Sequence, residues 1–136
     1  MYLGLDLGTS GLKGLLIDSD QEIVGSAEYH YPVQNFSSGW SEQNPKDWLD
    51  ACENVMNSLA NKFSSQVSGL KGIGISGQMH GATLLDSNND VIRPCMLWND
   101  TRSHSQAQRM DDENAFREIS GNIVFPGFTA LIPVSR

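Results

Sequence analysis

The sequence predicts an α/β fold built on a mixed sheet, and three observations carry that reading. Residues 2–7, 12–18 and 22–31 are apolar-rich runs joined by the short turns Gly8-Thr9-Ser10-Gly11 and Asp18-Ser19-Asp20-Gln21, which predicts an antiparallel three-stranded meander. Trp48, Leu49, Cys52, Val55, Met56, Leu59 and Phe63 then recur at helical spacing, with Lys46, Asp50, Glu53 and Asn57 on the opposite side. Residues 70–76 return to strand character, and a helix between two strands calls for a right-handed crossover that sets 70–76 parallel to 2–7.

The remaining elements follow from local chemistry. Residues 32–44 carry Pro, Gly, Ser and Asn without a period and read as a loop, after which Asn44 can cap a helix over 45–63 whose first residue is Pro45. Beyond 70–76, residues 82–86 and 91–98 are two further strand candidates around the turn Ser87-Asn88-Asn89-Asp90. A polar helix is expected over 101–120, with Ala107, Met110, Phe116 and Ile119 inward, and 121–136 has no period.

The 136 residues suit one domain or part of one, and 39% hydrophobic with 18% charged residues is ordinary globular composition. That excludes a mostly disordered, collagen-like or membrane-spanning chain. Nine Lys and Arg against sixteen Asp and Glu leave a net charge of −7, opposite to the footprint of a nucleic-acid or anionic-membrane binder. An anionic ligand must then be held by local geometry. The opening Met1-Tyr2-Leu3-Gly4-Leu5-Asp6 lacks a signal peptide's basic and apolar regions, and Cys52 and Cys95 form no CxxC or disulfide framework, so a cytoplasmic location is expected. The triplets beginning at Asn35 and Asn99 match a glycosylation pattern by chance on that reading.

Several stretches could carry chemistry. Asp6 ends a predicted strand just before Gly8-Thr9-Ser10-Gly11, and such a turn either is ordinary hairpin chemistry or cradles phosphate. In the second case glycine lets the backbone approach an anion, the hydroxyls add donors, and Asp6 holds magnesium through water. Gly72-Ile73-Gly74-Ile75-Ser76-Gly77 matches GxGxxG, but its first glycines lie inside a strand and no helix follows, so a dinucleotide site is rejected. Strand-interior Gly72 and Gly74 instead suggest close approach of another backbone or a ligand. His80 sits in a Gly-flanked turn at a strand end, as a ligand contact or a hydrogen-bonded structural residue. Trp98-Asn99-Asp100-Thr101-Arg102 either binds hydroxyls or caps the next helix through Asn99 or Asp100.

Taken in order, Asp6-Leu7-Gly8-Thr9-Ser10-Gly11-Leu12-Lys13, Gly39-Trp40-Ser41-Glu42-Gln43-Asn44-Pro45, Gly77-Gln78-Met79-His80-Gly81 and Leu97-Trp98-Asn99-Asp100 with Arg102 resemble the opening of the xylulokinases, carbohydrate kinases of the FGGY family. The resemblance covers residues 1 to about 129. It implies a ribonuclease-H-like (actin-like ATPase) domain with a mixed sheet and helices, here the first part of the N-terminal kinase domain over 1–130. By resemblance Asp6 is the magnesium-associated catalytic carboxylate, and Gly8, Thr9, Ser10, Gly11 and Lys13 belong to the phosphate loop that binds ATP. Met79 and His80 would form part of the pocket for D-xylulose, with Trp98, Asn99, Asp100 and Arg102 lining or bracing it. These groups are expected along one sheet edge. The implied partners are ATP, Mg²⁺ and a small ketose, without nucleic acid or membrane.

The sequence departs from the family pattern after Gly127-Phe128-Thr129-Ala130, so 131–136 is expected to be a foreign tail. The family's proton-accepting aspartate and adenine-binding domain lie beyond this sequence. The expectation is therefore an N-terminal fragment, inactive alone and prone to self-association, of a kinase that phosphorylates D-xylulose. Alternatives are a non-catalytic ligand- or partner-binding fragment of a related sugar kinase and an actin-like interaction module.

Overall fold

A computed structural model gives the fold of residues 1–129, and the departing tail at 131–136 lies outside the described residues. In chain order the elements are β1 (Tyr2–Leu7), β2 (Gly11–Ile17), β3 (Ile23–His30), β4 (Glu42–Gln43), α1 (Pro45–Lys62), α2 (Ser64–Ser68), β5 (Gly72–Gly77), β6 (Cys95–Met96), α3 (His104–Asp111) and α4 (Asn114–Ser120). They fall into two compact units. The first holds residues 1–32 and 46–78, the second 33–45 and the residues from Met79 on.

In the first unit the meander forms as expected: β1 pairs antiparallel with β2, and β2 with β3. On its other side β1 pairs in parallel with β5, which gives the order β3-β2-β1-β5 and matches the expected crossover through α1. Strand alternation then sorts the side chains of β1. Leu3 and Leu5 are buried, while Tyr2, Gly4 and Asp6 lie on the exposed face. Leu12, Gly14 and Leu16 of β2 are buried too. Against Leu3, Leu5 and Leu12 pack Ala51, Val55 and Leu59 of α1, with Trp48, Cys52, Met56 and Phe63 around them. Each fully buried aliphatic side chain is worth roughly 1.5–3 kcal/mol, so this stripe is the main source of the unit's stability.

The contact is close because Gly14 has no side chain. A Cβ there would stand 2.5 Å from Val55 Cγ1 and 3.1 Å from Leu59 Cδ1. Two expectations about this unit are corrected. Leu49 is 72% exposed, because it lies about 100° round the helix from Trp48, and small Ala51, fully buried, takes the place beside the sheet. No other backbone crowds Gly72 or Gly74, which removes that one of the two expected alternatives: a Cβ on Gly72 would meet only the Tyr2 ring at 3.6 Å, and on Gly74 nothing within 4 Å.

The second unit departs further from expectation. Within the expected loop at 32–44, Glu42 and Gln43 form β4, antiparallel to β6, and both are buried. Polar residues in so short a strand show no apolar alternation. Of the strands expected at 82–86 and 91–98, only β6 and the single bridges Ala82↔Met96 and Leu85↔Val91 form. Two local causes are visible. Pro94 lacks an amide for a ladder, and the Asp86 Oδ1 accepts the Asn88 and Asp90 amides, winding 86–90 into a turn.

The helix expected over 101–120 is two helices, α3 and α4, separated at Asp112 and Glu113. Three consecutive acidic residues, 111–113, oppose the negative end of a helix dipole, which favours a stop there. Asp111 is nonetheless useful. It accepts Arg117 and the Val124 amide, and those hydrogen bonds, Arg117's above all, hold its carboxyl down at about 2. Ala107, Met110 and Phe116 pack inward with Val124, whereas Ile119 is 88% exposed, contrary to expectation. Neither Asn99 nor Asp100 caps α3, which begins four residues after Asp100 behind Ser103.

The close helix contact makes a prediction about stability. Gly14→Ala should lower stability by about 1–3 kcal/mol through overpacking, read as a lower urea midpoint. Gly4→Ala, whose Cβ would meet nothing nearer than 4.0 Å, should leave the midpoint within about 1 kcal/mol of the unaltered chain. Equal losses at the two positions would contradict the packing.

Candidate functional site

In the first unit the expected phosphate-loop residues sit where β1 turns into β2. The Gly8 amide donates to the Gly11 carbonyl at 3.0 Å, with Thr9 and Ser10 between them. Tyr31, buried at the end of the meander, donates its phenol to the Gly8 carbonyl at 2.6 Å. The Tyr31 amide and His30 Nδ1 both reach the Ser10 carbonyl at 3.3 Å. From the β5 side, the Thr9 hydroxyl donates to Gln78 Oε1 at 3.2 Å, and the Gln78 amide donates to the Leu7 carbonyl at 2.9 Å. The turn is thus held from both flanks.

Asp6 stands on the exposed face of β1, opposite Lys13 of β2 in the antiparallel register and beside Ser76 of β5 in the parallel one. The Ser76 hydroxyl donates to Asp6 Oδ1 at 2.6 Å and so fixes the carboxylate's rotation. Two residues back along the strands Gly4 and Gly74, also in register, leave this face bare of side chains, and an open groove of about 600 Å³ runs over it between Lys13, Ile23 and Ser76. Among the described residues no cluster of three or more His, Cys, Asp or Glu can hold a metal. A single carboxylate does suit magnesium, which keeps several waters and takes its other ligands from phosphate oxygens.

In the second unit Arg102 and Asp100 meet. The guanidinium donates to Asp100 at 2.7–3.0 Å, lies 2.8 Å from Glu42 Oε1, and stacks 3.8 Å above the Trp40 ring. Asp100 also accepts the Ser41 amide at 2.7 Å and the Arg102 amide at 3.0 Å. Burial pushes the Asp100 carboxyl up, but its hydrogen bonds with Arg102 and the Ser41 amide outweigh that and hold it below the usual carboxylate range. Burial likewise opposes the charge on Arg102, and the two carboxylates more than compensate, raising it. With Asp100 only 2% exposed, both charges are committed to each other. This geometry favours a brace over direct hydroxyl binding.

His80 occupies an uncommon backbone position. Its φ is +66°, and the Gly81 amide donates to the Met79 carbonyl across it at 2.9 Å, a three-residue turn that costs energy for any residue but glycine. The ring is stacked on Phe128 with centroids 4.1 Å apart, and the His80 carbonyl accepts the Thr129 hydroxyl at 2.9 Å. A cavity of about 270 Å³ lies between His80, Phe116, Val124 and Phe128. Met79, Trp98 and Asn99 are exposed.

Sequence reasoning thus placed Asp6 and the loop but missed Tyr31, Ser76 and Gln78, whose roles come from strand register. It also missed Glu42 as the third member of the Asp100–Arg102 cluster. The Trp40-Ser41-Glu42 triplet was the only signal, and nothing in the sequence shows that it folds against Arg102.

Comparison with known proteins decides the family. The sequence model described as the N-terminal domain of the FGGY family of carbohydrate kinases matches residues 1–132. The chain belongs to the FGGY family of carbohydrate kinases. Among FGGY relatives, the xylulose kinases of Klebsiella pneumoniae and Escherichia coli K12 are 45% and 42% identical over 131 residues, covering 96% of this chain. The chain spans 27% of the length of each of these curated relatives. A protein described as a xyloylose kinase from Brucella ovis superposes with a TM-score of 0.92 at 56% identity, over 95% of this chain and 27% of that one. The fold is therefore the actin-like ATPase fold of the FGGY kinases. No helix among the described residues is long and apolar enough to cross a membrane.

The buried cluster predicts both a cost and its pH dependence. Arg102→Met should destabilise the chain by about 3–5 kcal/mol at pH 7, because Asp100 and Glu42 are left buried without their cation. The folded Asp100 carboxyl lies below its ordinary 3.8, so its stabilisation is complete above that pH and lost as pH falls through the folded value. In the variant the unpaired, buried Asp100 protonates more readily. Urea melts should therefore show the gap between the two proteins narrowing on acidification to about pH 4; a gap that widens would contradict the ion-pair account.

Proposed function

We propose that this chain supplies the phosphate loop and part of the ketose pocket for ATP-dependent phosphorylation of D-xylulose at its terminal hydroxyl. The observation that carries the reading is the arrangement around Asp6: an exposed carboxylate, rotated by Ser76, one residue pair away from a glycine-flanked turn with two hydroxyls. The high identity to xylulose kinases over nearly the whole chain supports the choice of sugar.

Phosphoryl transfer requires positioning and charge stabilisation more than covalent chemistry. The oxygen of the sugar hydroxyl bonds to the γ-phosphorus, the bond from that phosphorus to the bridging oxygen breaks, ADP leaves, and the hydroxyl proton passes to a carboxylate. Magnesium, when bound, neutralises charge on the phosphate oxygens. The Gly8–Gly11 turn and Lys13 orient and balance those oxygens, and Asp6 anchors the hydrated metal. Met79 and His80 contact the ketose, while Asp100 and Arg102 brace the Trp98 segment. The resemblance assigns the proton-accepting aspartate to a region that this sequence does not contain.

Two outcomes are expected. A chimera in which residues 1–129 replace the matched segment of the Klebsiella pneumoniae xylulose kinase should show D-xylulose-dependent ATP consumption. His80→Ala in that chimera should raise KM for the sugar about tenfold or more. A folded chimera with no sugar-dependent turnover, or one indifferent to His80→Ala, would count against the reading. The chain by itself should consume ATP with D-xylulose and magnesium far below the enzymatic range of about 1–10³ per second. With Ile73 and Ile75 on an edge strand 54% and 79% exposed, it should also scatter light as a self-associated species. Enzymatic turnover by a monodisperse monomer would overturn that second expectation.

A further inference from the structure

The turn between β1 and β2 is closed on one side only. Gly8 donates its amide to the Gly11 carbonyl, as the flanking residues of a two-residue hairpin do. The Gly8 carbonyl, which a tight hairpin would give to the Gly11 amide, accepts the Tyr31 phenol instead, at 2.6 Å. Neither Thr9 nor Ser10 has the positive φ of the turns that suit strand twist, so the turn is not of the type that closes most readily by itself.

We propose that Tyr31 is a positioning residue for the phosphate loop: its phenol replaces the Gly11 amide on the Gly8 carbonyl and holds the turn open for a phosphate group. The proposal rests on reading residues 8–11 as a phosphate loop. Three observations support it beyond the hydrogen bond itself.

The first is direction. The described peptides are all trans, so fixing the Gly8 carbonyl toward Tyr31 aims the Thr9 amide of the same peptide plane the opposite way. The Ser10 carbonyl is also drawn to this side, by the Tyr31 amide and by His30 Nδ1 when that nitrogen carries the proton. Two carbonyl oxygens that would repel a phosphate are thereby occupied. The second is rigidity. The Tyr31 ring belongs to the same buried cluster as Leu5, Leu12 and Val55, so the phenol is presented from the core rather than from a mobile surface side chain. The third is protonation. A phenol at its ordinary 10.0 already donates throughout the neutral range, and burial, then the negative charge of Asp6, push this one further up, to about 12. A phenylalanine would fill the same core volume, and all that the hydroxyl adds is the bond to Gly8.

The test uses the ¹⁵N-labelled chain titrated with magnesium tripolyphosphate. In the unaltered chain the amides of residues 8–11 should shift. Tyr31→Phe should weaken binding about fivefold or more, because a turn that recloses onto the Gly11 amide is competent for only part of the time. In the same variant without ligand, exchange of the Gly11 amide hydrogen should slow. Val67→Ala, a core truncation away from the turn, serves as the stability control and should leave the affinity unchanged. Binding that survives Tyr31→Phe, or an equal loss in Val67→Ala, overturns the proposal alone. Absence of loop shifts in the unaltered chain overturns the phosphate-loop reading and the proposal with it.

Discussion

The parallel pairing of β1 with β5 is the constraint on which the first unit depends. It places β1 inside the sheet, with β2 on one side and β5 on the other, so the alternation of a single six-residue strand serves two purposes. Leu3 and Leu5 face α1 and hold the core, while Asp6, one position along, is necessarily on the other face. A slip of one residue would bury the carboxylate and expose the leucines, which makes the register costly to change. The same pairing brings Ser76 and Gln78 to Asp6 and Thr9 across about 70 residues of sequence. The core and the candidate phosphate site are therefore consequences of one pairing.

The second unit is organised differently. Its strands are only two residues long, and beside the buried Cys95, Met96 and Leu97 it holds an ion cluster of Asp100, Arg102 and Glu42 that is nearly closed to solvent. Buried pairs of this kind add little net stability compared with a well-packed apolar core, but they penalise every arrangement that separates the partners. The cluster fixes how 40–42 meets 100–102. The strained turn at His80 has a similar character, because Phe128 and Thr129 hold a backbone conformation that the residue itself disfavours.

What was legible in the sequence follows from range. Hydrophobic period identified the meander, the helix and the strand after it, Asn44-Pro45 marked where α1 starts, and the crossover rule set that strand parallel, because each signal is written in consecutive residues. It failed where tertiary partners decide. Glu42 and Gln43 look like loop because a strand stabilised by buried polar pairing has no apolar signature. Residues 91–98 look like a strand because periodicity does not register the amide missing at Pro94. Asp6 and the 8–11 turn were visible as a motif, whereas Tyr31 looked like one more apolar strand residue, since its distinguishing feature is a hydrogen bond to a backbone atom 23 positions away.

The central claim is that the phosphate end of a nucleotide is received at Asp6 and the turn that follows it. Manganese in place of magnesium tests this directly, because a bound paramagnetic ion broadens nearby amide signals. With manganese and ATP added to the ¹⁵N-labelled chain, broadening should centre on Asp6 and residues 8–11, and it should be lost from them in Asp6→Asn. Broadening centred on the acidic run at 111–113, or unchanged by Asp6→Asn, would contradict the account.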